Sequence, residues 1–152
     1  MVSFRHVRTK VRLSGFNCHH LIPKQVIEAQ EFCIFFGTMK SVGFAPNDFG
    51  TNGMHLPCDE KTAYMIGRPI HRGGHPMYNK LVAEQIFTIE KLPVIEAFLA
   101  LNALQSHLRS ALSISKMQNL NLVRNPMGTG LERDLETVGL LGAARMRMPR
   151  LP

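Results

Sequence analysis

Tryptophan is absent from the 152-residue chain, tyrosine occurs twice and cysteine three times. The cysteines, Cys18, Cys33 and Cys58, form an odd set without CxxC spacing. That excludes the disulfide framework of small secreted domains and points to reduced thiols in a cytosolic working environment. No apolar run approaches the roughly 18–20 residues of a membrane-spanning helix. The opening MVSFRHVRTKVRLSG lacks the apolar centre of a signal peptide. Acidic residues are scarce: 11 Asp+Glu stand against 18 Lys+Arg, for a formal net charge of +7. Such a surface attracts polyanions, nucleic acid first and an acidic protein or anionic membrane second. Part of that charge gathers at the two ends (Arg5, Arg8, Arg12; Arg145, Arg147, Arg150), where it also suits a solvated tail. There is no internal repeat, and the length fits one domain around a single core.

What is present reads as short strands followed by helices. Residues 1–15 form an N-terminal arm in which Val7 and Val11 alternate with Arg8, Lys10 and Arg12. Gly15 and Phe16 read as a turn into a short strand ending at two histidines. Pro23 suits a first helical turn, and Val26, Ala29, Cys33 and Phe36 predict a helix over about 24–36. Residues 41–53, SVGFAPNDFGTNG, have the composition of a folded loop. A strand MHLP follows, then Asp59 as the cap of a helical turn from Ala63 to Ile66, then the loop GRPIHRGGHP. Pro76 opens a helix whose apolar stripe is Tyr78, Val82, Ile86 and Ile89. After Pro93 a second stripe, Val94, Phe98, Leu101, Leu104, Leu108 and Leu112, predicts another helix, its apolar face serving as core or as an oligomer surface. From residue 119 the periodicity breaks, so residues 119–152 read as an extension that is partner-binding or disordered.

The polar chemistry of the first half is His19-His20, Asn52-Gly53, His71, His75 and Asn79. If the strand ending at His20 pairs with the one beginning at Met54, and the helix near His75 packs across them, three distant segments meet. A metal site needs such convergence, with ligands about 2.0–2.1 Å from the ion. Successive strand side chains face opposite ways, so adjacent histidines suit different tasks. One imidazole binds metal, while its neighbour, with an ordinary pKa near ~6.5, takes a proton from water. Asn52 is placed to brace that second ring through its amide, although Asn-Gly is also a strong turn signal. Spacing of four puts His75 and Asn79 on one helix face, while Arg72-Gly73-Gly74 makes 71–75 a poor helix. Against this stand plainer readings: His6 and His107 as surface or core residues, His55 as a structural neighbour of the site, and Tyr78 as core packing.

Three blocks, CHHLIP (18–23), GF with NDFGTNGMHLP (43–57) and HRGGHPMYNKLV (71–82), resemble the HNH superfamily of nucleases. Within it they are most similar to the AHH nuclease family, found as toxin domains of bacterial polymorphic toxins and secretion-system effectors. The resemblance covers roughly residues 16–90, with Cys18 where that family carries alanine. It implies an α+β fold, a ββα-metal core (β-hairpin plus helix) within a mainly helical single domain spanning residues 16–118. It assigns His19 and His75 to the metal, His20 to general-base work and Asn52 to orienting it, with His71 or Asn79 completing the metal shell. Arg68, Arg72 and Lys80 border the site as phosphate contacts. The implied activity is hydrolysis of DNA phosphodiester bonds with one divalent ion, Zn²⁺ or Ni²⁺ at rest and Mg²⁺ or Mn²⁺ in turnover. The implied setting is an antibacterial toxin without a signal peptide, delivered by a specialised secretion system into a target-cell cytoplasm and paired with an immunity protein, acidic by charge complementarity. The competing reading is a non-catalytic nucleic-acid-binding module with a structural zinc held by Cys18, Cys58, His19 and His75.

Overall fold

A computed structural model describes residues 13–74 and 76–113. The expected C-terminal extension, all but the last three residues of the N-terminal arm, and His75 therefore lie outside the described residues.

Two strands carry the site. β1 (Phe16–His20) and β2 (Gly53–Pro57) pair antiparallel, with Phe16 opposite Pro57, Cys18 opposite His55, His19 opposite Met54 and His20 opposite Gly53. The Leu21 N–H continues the ladder to the Asn52 carbonyl at 2.9 Å, which fixes its phase. Hydrogen-bonded positions alternate along an antiparallel pair, so His20–Gly53, Cys18–His55 and Phe16–Pro57 are the non-bonded ones. Proline, which has no N–H, fits such a position without breaking the ladder.

The segment between the strands is helical. It holds α1 (Lys24–Ile27), a 3₁₀ turn (Gln30–Phe32), α2 (Cys33–Ser41) and α3 (Phe49–Asn52). The single helix expected over 24–36 is thus broken. Ala29 is extended, with φ −63° and ψ 135°, and α2 resumes on a different face, burying Phe35, Phe36 and Met39 while Cys33 is exposed. Two short helices let Val26 and Ile27 reach the core as well as the Phe32, Phe36 and Phe44 rings, which one straight cylinder would not. Edge-on and tilted contacts of Phe36 with Phe32, Phe35 and Phe44, at 6.4, 5.1 and 5.6 Å, centre that aromatic cluster. Within the expected loop, Asp48 caps α3 by accepting from the N–H groups of Gly50 and Thr51 at 3.2 Å.

After β2 the expectations hold closely. Asp59 caps α4 (Glu60–Ile66), accepting from Thr62 N–H and Thr62 Oγ1 at 2.8 Å. Gly67 ends it in the left-handed region at φ 63°. α5 (Pro76–Ile89) buries Tyr78, Val82, Ile86 and Ile89. α6 (Val94–Ser113) buries Leu101, Leu104, Leu108 and Leu112, but also a polar residue, Gln105. α5 and α6 meet the strand pair and the α1–α2 segment in one apolar cluster. The fold is α+β: a two-stranded antiparallel pair among helices, consistent with a ββα-like core. Among the described residues no helix is long and apolar enough to cross a membrane.

Candidate active site

His19 faces α5. It is 4 % exposed, its ring lies 5.1 Å from that of Tyr78, and the His71 ring meets it edge-on at 4.9 Å. His71 reaches this place because its backbone is tied to both strands. Its N–H donates to the Pro57 carbonyl at 2.7 Å, and its carbonyl accepts from Asn17 Nδ2 at 3.1 Å. Of the two candidates for completing a metal shell, then, His71 lies against His19. Asn79 sits on α5 with its amide donating to Gln25 Oε1, tying that helix to α1. His75 precedes the first residue of α5 and lies outside the described residues. No group of three or more His, Cys, Asp or Glu among the described residues is arranged to hold an ion. Two adjacent imidazoles, with the His19 Nε2 screened from solvent, are nevertheless donors that suit a borderline divalent ion.

His20 is the last residue of β1 and alternates with His19 along the strand, yet His71 is within electrostatic reach of it as well. The strand face turned away from His19 carries Cys18 and His55, whose Sγ and Nδ1 are 3.8 Å apart, and the Phe49 ring, 4.7 Å from that of His55. Cys18 therefore points away from His19, and among the described residues Cys18, Cys58 and His19 do not come together as zinc ligands. Burial, then the charge of Lys24, then His71 lower the His20 pKa below its ordinary value. The neutral, proton-accepting imidazole is favoured there.

The backbone immediately after His20 is held at four points. Leu21 N–H donates to the Asn52 carbonyl at 2.9 Å, and the Leu21 carbonyl accepts from Tyr78 Oη at 2.6 Å. Ile22 N–H donates to Asn52 Oδ1 at 2.7 Å, and the Ile22 carbonyl accepts from Asn52 Nδ2 at 3.1 Å. Asn52 was expected to brace the His20 ring; its amide grips the chain behind that ring instead. The remaining capacity of the amide goes to Pro46, whose carbonyl accepts at 3.0 Å, and to Gln105, whose Nε2 donates at 3.2 Å. Tyr78 does more than fill core: its hydroxyl has a partner, and full burial drives its pKa upward.

The expected phosphate contacts differ among themselves. Arg72 is engaged within the chain, its Nε donating to the Cys58 carbonyl at 2.8 Å and its Nη1 lying 3.6 Å from Glu60. Lys80 is exposed on α5, and Arg68 is half-buried just after α4. Sequence reasoning missed Gln105 and also Arg109, which bonds carbonyls at the end of α3. For Gln105 a signal existed, an amide inside the apolar stripe of α6; for Arg109 there was none.

Comparison with curated proteins and with solved structures finds no significant match. The sequence model of a nuclease family of the HNH/ENDO VII superfamily with conserved AHH matches residues 5–110, wider at both ends than the three blocks that carried the resemblance. That span is more than two thirds of the chain and includes both strands, both site histidines and most of α6. The chain belongs to the AHH nuclease family, with Cys18-His19-His20 in the place of the motif that names it.

Proposed function

We propose that the protein is a metal-dependent endonuclease that hydrolyses DNA, with His19, His71 and His75 holding one divalent ion and His20 acting as general base. The observation that carries this reading is the convergence on His71: its ring meets that of His19 edge-on, and it acts electrostatically on His20, the next residue of the strand. The chain immediately after the two histidines is held by Asn52 and Tyr78. Nucleases of the superfamily are generally metal-dependent. The imidazole donors suit Zn²⁺ or Ni²⁺ at rest, and Mg²⁺ or Mn²⁺ in turnover.

A bound ion supplies Lewis-acid stabilisation of the charge on the phosphate and the departing oxygen. His20 accepts a proton from water as the water oxygen bonds to phosphorus. The bond from phosphorus to the 3′-oxygen breaks, and that oxygen takes up a proton, leaving a 5′-phosphate and a 3′-hydroxyl. Arg68 and Lys80 contact flanking phosphates, with Arg72 joining them from its place beside Glu60. Such contacts are sequence-independent and weaken with salt. The net charge of +7 supports a polyanionic substrate. In this reading the chain is the toxic part of an antibacterial effector, delivered by a specialised secretion system into the target-cell cytoplasm and restrained by an acidic immunity protein.

The test uses supercoiled plasmid with wild type and His20→Ala, both folded by circular dichroism, in EDTA, Mg²⁺, Mn²⁺ or Zn²⁺. Wild type should nick and linearise the plasmid only with metal, and His20→Ala should not. If neither protein cuts, yet both bind DNA and EDTA unfolds them, the histidines hold a structural zinc and the nuclease assignment fails for this chain.

A further inference from the structure

α6 is part neither of the strand pair nor of α5, yet it supplies two of the polar contacts on which the site rests. Gln105 is 5 % exposed and interrupts the stripe of Leu101, Leu104 and Leu108. An amide buried there is tolerated only when hydrogen-bonded, and its Nε2 meets Asn52 Oδ1. Arg109 lies one turn further along the same face. Its Nη1 donates to the Gly53 carbonyl at 2.9 Å, and its Nη2 to the carbonyls of Gly50 and Thr51 at 2.8 and 3.1 Å. Carbonyls in the last turn of a helix lack partners within it, which leaves those of α3 open to the guanidinium. Gly53 is the residue opposite His20. In a non-hydrogen-bonded pair its carbonyl points away from β1, the direction from which Arg109 takes it.

We infer that Gln105 and Arg109 are positioning residues for the cleavage reaction. Gln105 fixes Asn52, which grips the chain behind His20; Arg109 fixes Gly53, which faces His20 across the ladder. Together they set where the His20 imidazole stands. The inference rests on the reading of His20 as general base. The Gln105 bond and one of the three Arg109 bonds end on Asn52 and Gly53, the residues that bond to or pair with the segment 20–22, while the other two hold the turn of α3 that carries Asn52.

The experiment compares Gln105→Met, which keeps length and volume but removes the donor, and Arg109→Lys, which keeps the charge but not the forked geometry. Each is made in the full chain, alone and with His20→Ala. The expected result is a fall in kcat of about 10- to 100-fold per folded molecule, with KM for a short duplex nearly unchanged. With His20→Ala no further loss should follow, because the pathway through His20 is already gone. Amide hydrogen exchange gives a readout independent of cleavage: the N–H groups of Leu21 and Ile22 should exchange faster than global unfolding explains. That acceleration supports the strut even if wild type cleaves nothing, a result that would remove only the general-base reading. Unchanged exchange at both amides, or losses that multiply on top of His20→Ala, would overturn the inference.

Discussion

Replacing Asn52 with alanine removes a wholly buried amide that serves four partners: Ile22 N–H, the carbonyls of Ile22 and Pro46, and Gln105 Nε2. Three of these bonds are buried and the one to Pro46 is partly so. Water has little access to the groups left behind, which makes their loss more serious than a surface bond. At about 1 kcal/mol net per bond, rising to about 1–3 for a buried group left unsatisfied, Asn52→Ala should destabilise by about 3–5 kcal/mol. That is a large share of the roughly 5–15 kcal/mol available to a domain. At about 2–4 °C per kcal/mol, the melting temperature should fall by roughly 6–20 °C. Urea unfolding followed by circular dichroism measures it. A loss below about 1 kcal/mol would refute the reasoning, because water would then be replacing the amide.

Asn52→Asp sharpens the test. It keeps the shape but puts an acceptor where Nδ2 donates, facing two carbonyls. Burial and those carbonyls raise the carboxyl pKa in the folded state above its unfolded value near ~3.9. The folded state then binds more protons than the unfolded one between the two values, so stability falls as pH rises through that window. Asn52→Asp should lie nearer wild type at about pH 4 than at about pH 7; the reverse order would contradict the hydrogen-bond assignment.

Gly53 has an extended φ of −125°, so backbone freedom does not explain the glycine. A Cβ there would stand 2.3 Å from Phe49 Cδ2. Gly53→Ala should cost about 1–3 kcal/mol in thermal melts, and clearly less when Phe49→Ala has removed the obstructing ring. Burial, then Lys24, then His71 lower the His20 pKa below 6.5, and a general base must be neutral to act. Cleavage should therefore rise with pH and reach half its plateau below 6.5, with Lys24→Ala moving that midpoint upward. A kcat/KM profile whose acid limb lies above 6.5 would remove His20 from the role.

Local chemistry made much of this fold readable in advance. Pro76 and Pro93 bracket α5 and precede α6, and the stripes Tyr78-Val82-Ile86-Ile89 and Leu101-Leu104-Leu108-Leu112 are the faces these helices bury. Asp59 and its helix are equally local, since the cap reaches only to Thr62. The break at Ala29 was not legible, because a run such as Val26, Ala29, Cys33, Phe36 satisfies one helical face as well as two short helices. Only the tertiary core decides between them. The Asn-Gly pair misled in a similar way: Asn52 ends a helix and Gly53 begins a strand. His19, His20 and His71 could be named from order and spacing. The contacts that hold them could not, since Tyr78 lies 57 residues from Leu21 and Gln105 lies 53 from Asn52. Hydrogen bonds of that span leave no periodic trace in sequence.

The two strands that form the site are neighbours in space but are separated by residues 21–52, a stretch of 32 residues between His20 and Gly53. Closing a tight hairpin is a local event; closing this one is not. Each doubling of a loop adds about 0.6 kcal/mol of closure entropy, so three doublings from a four-residue turn add about 1.8 kcal/mol that local pairing cannot recover. Packing of Phe32, Phe36, Met39 and Phe44 in the same core brings the ends of the loop together and offsets that cost. A chain that has collapsed without joining His20 to Gly53 has secondary structure but not the assembled strand pair. Assembly of the site is in this way tied to closure of a long loop rather than to a local turn.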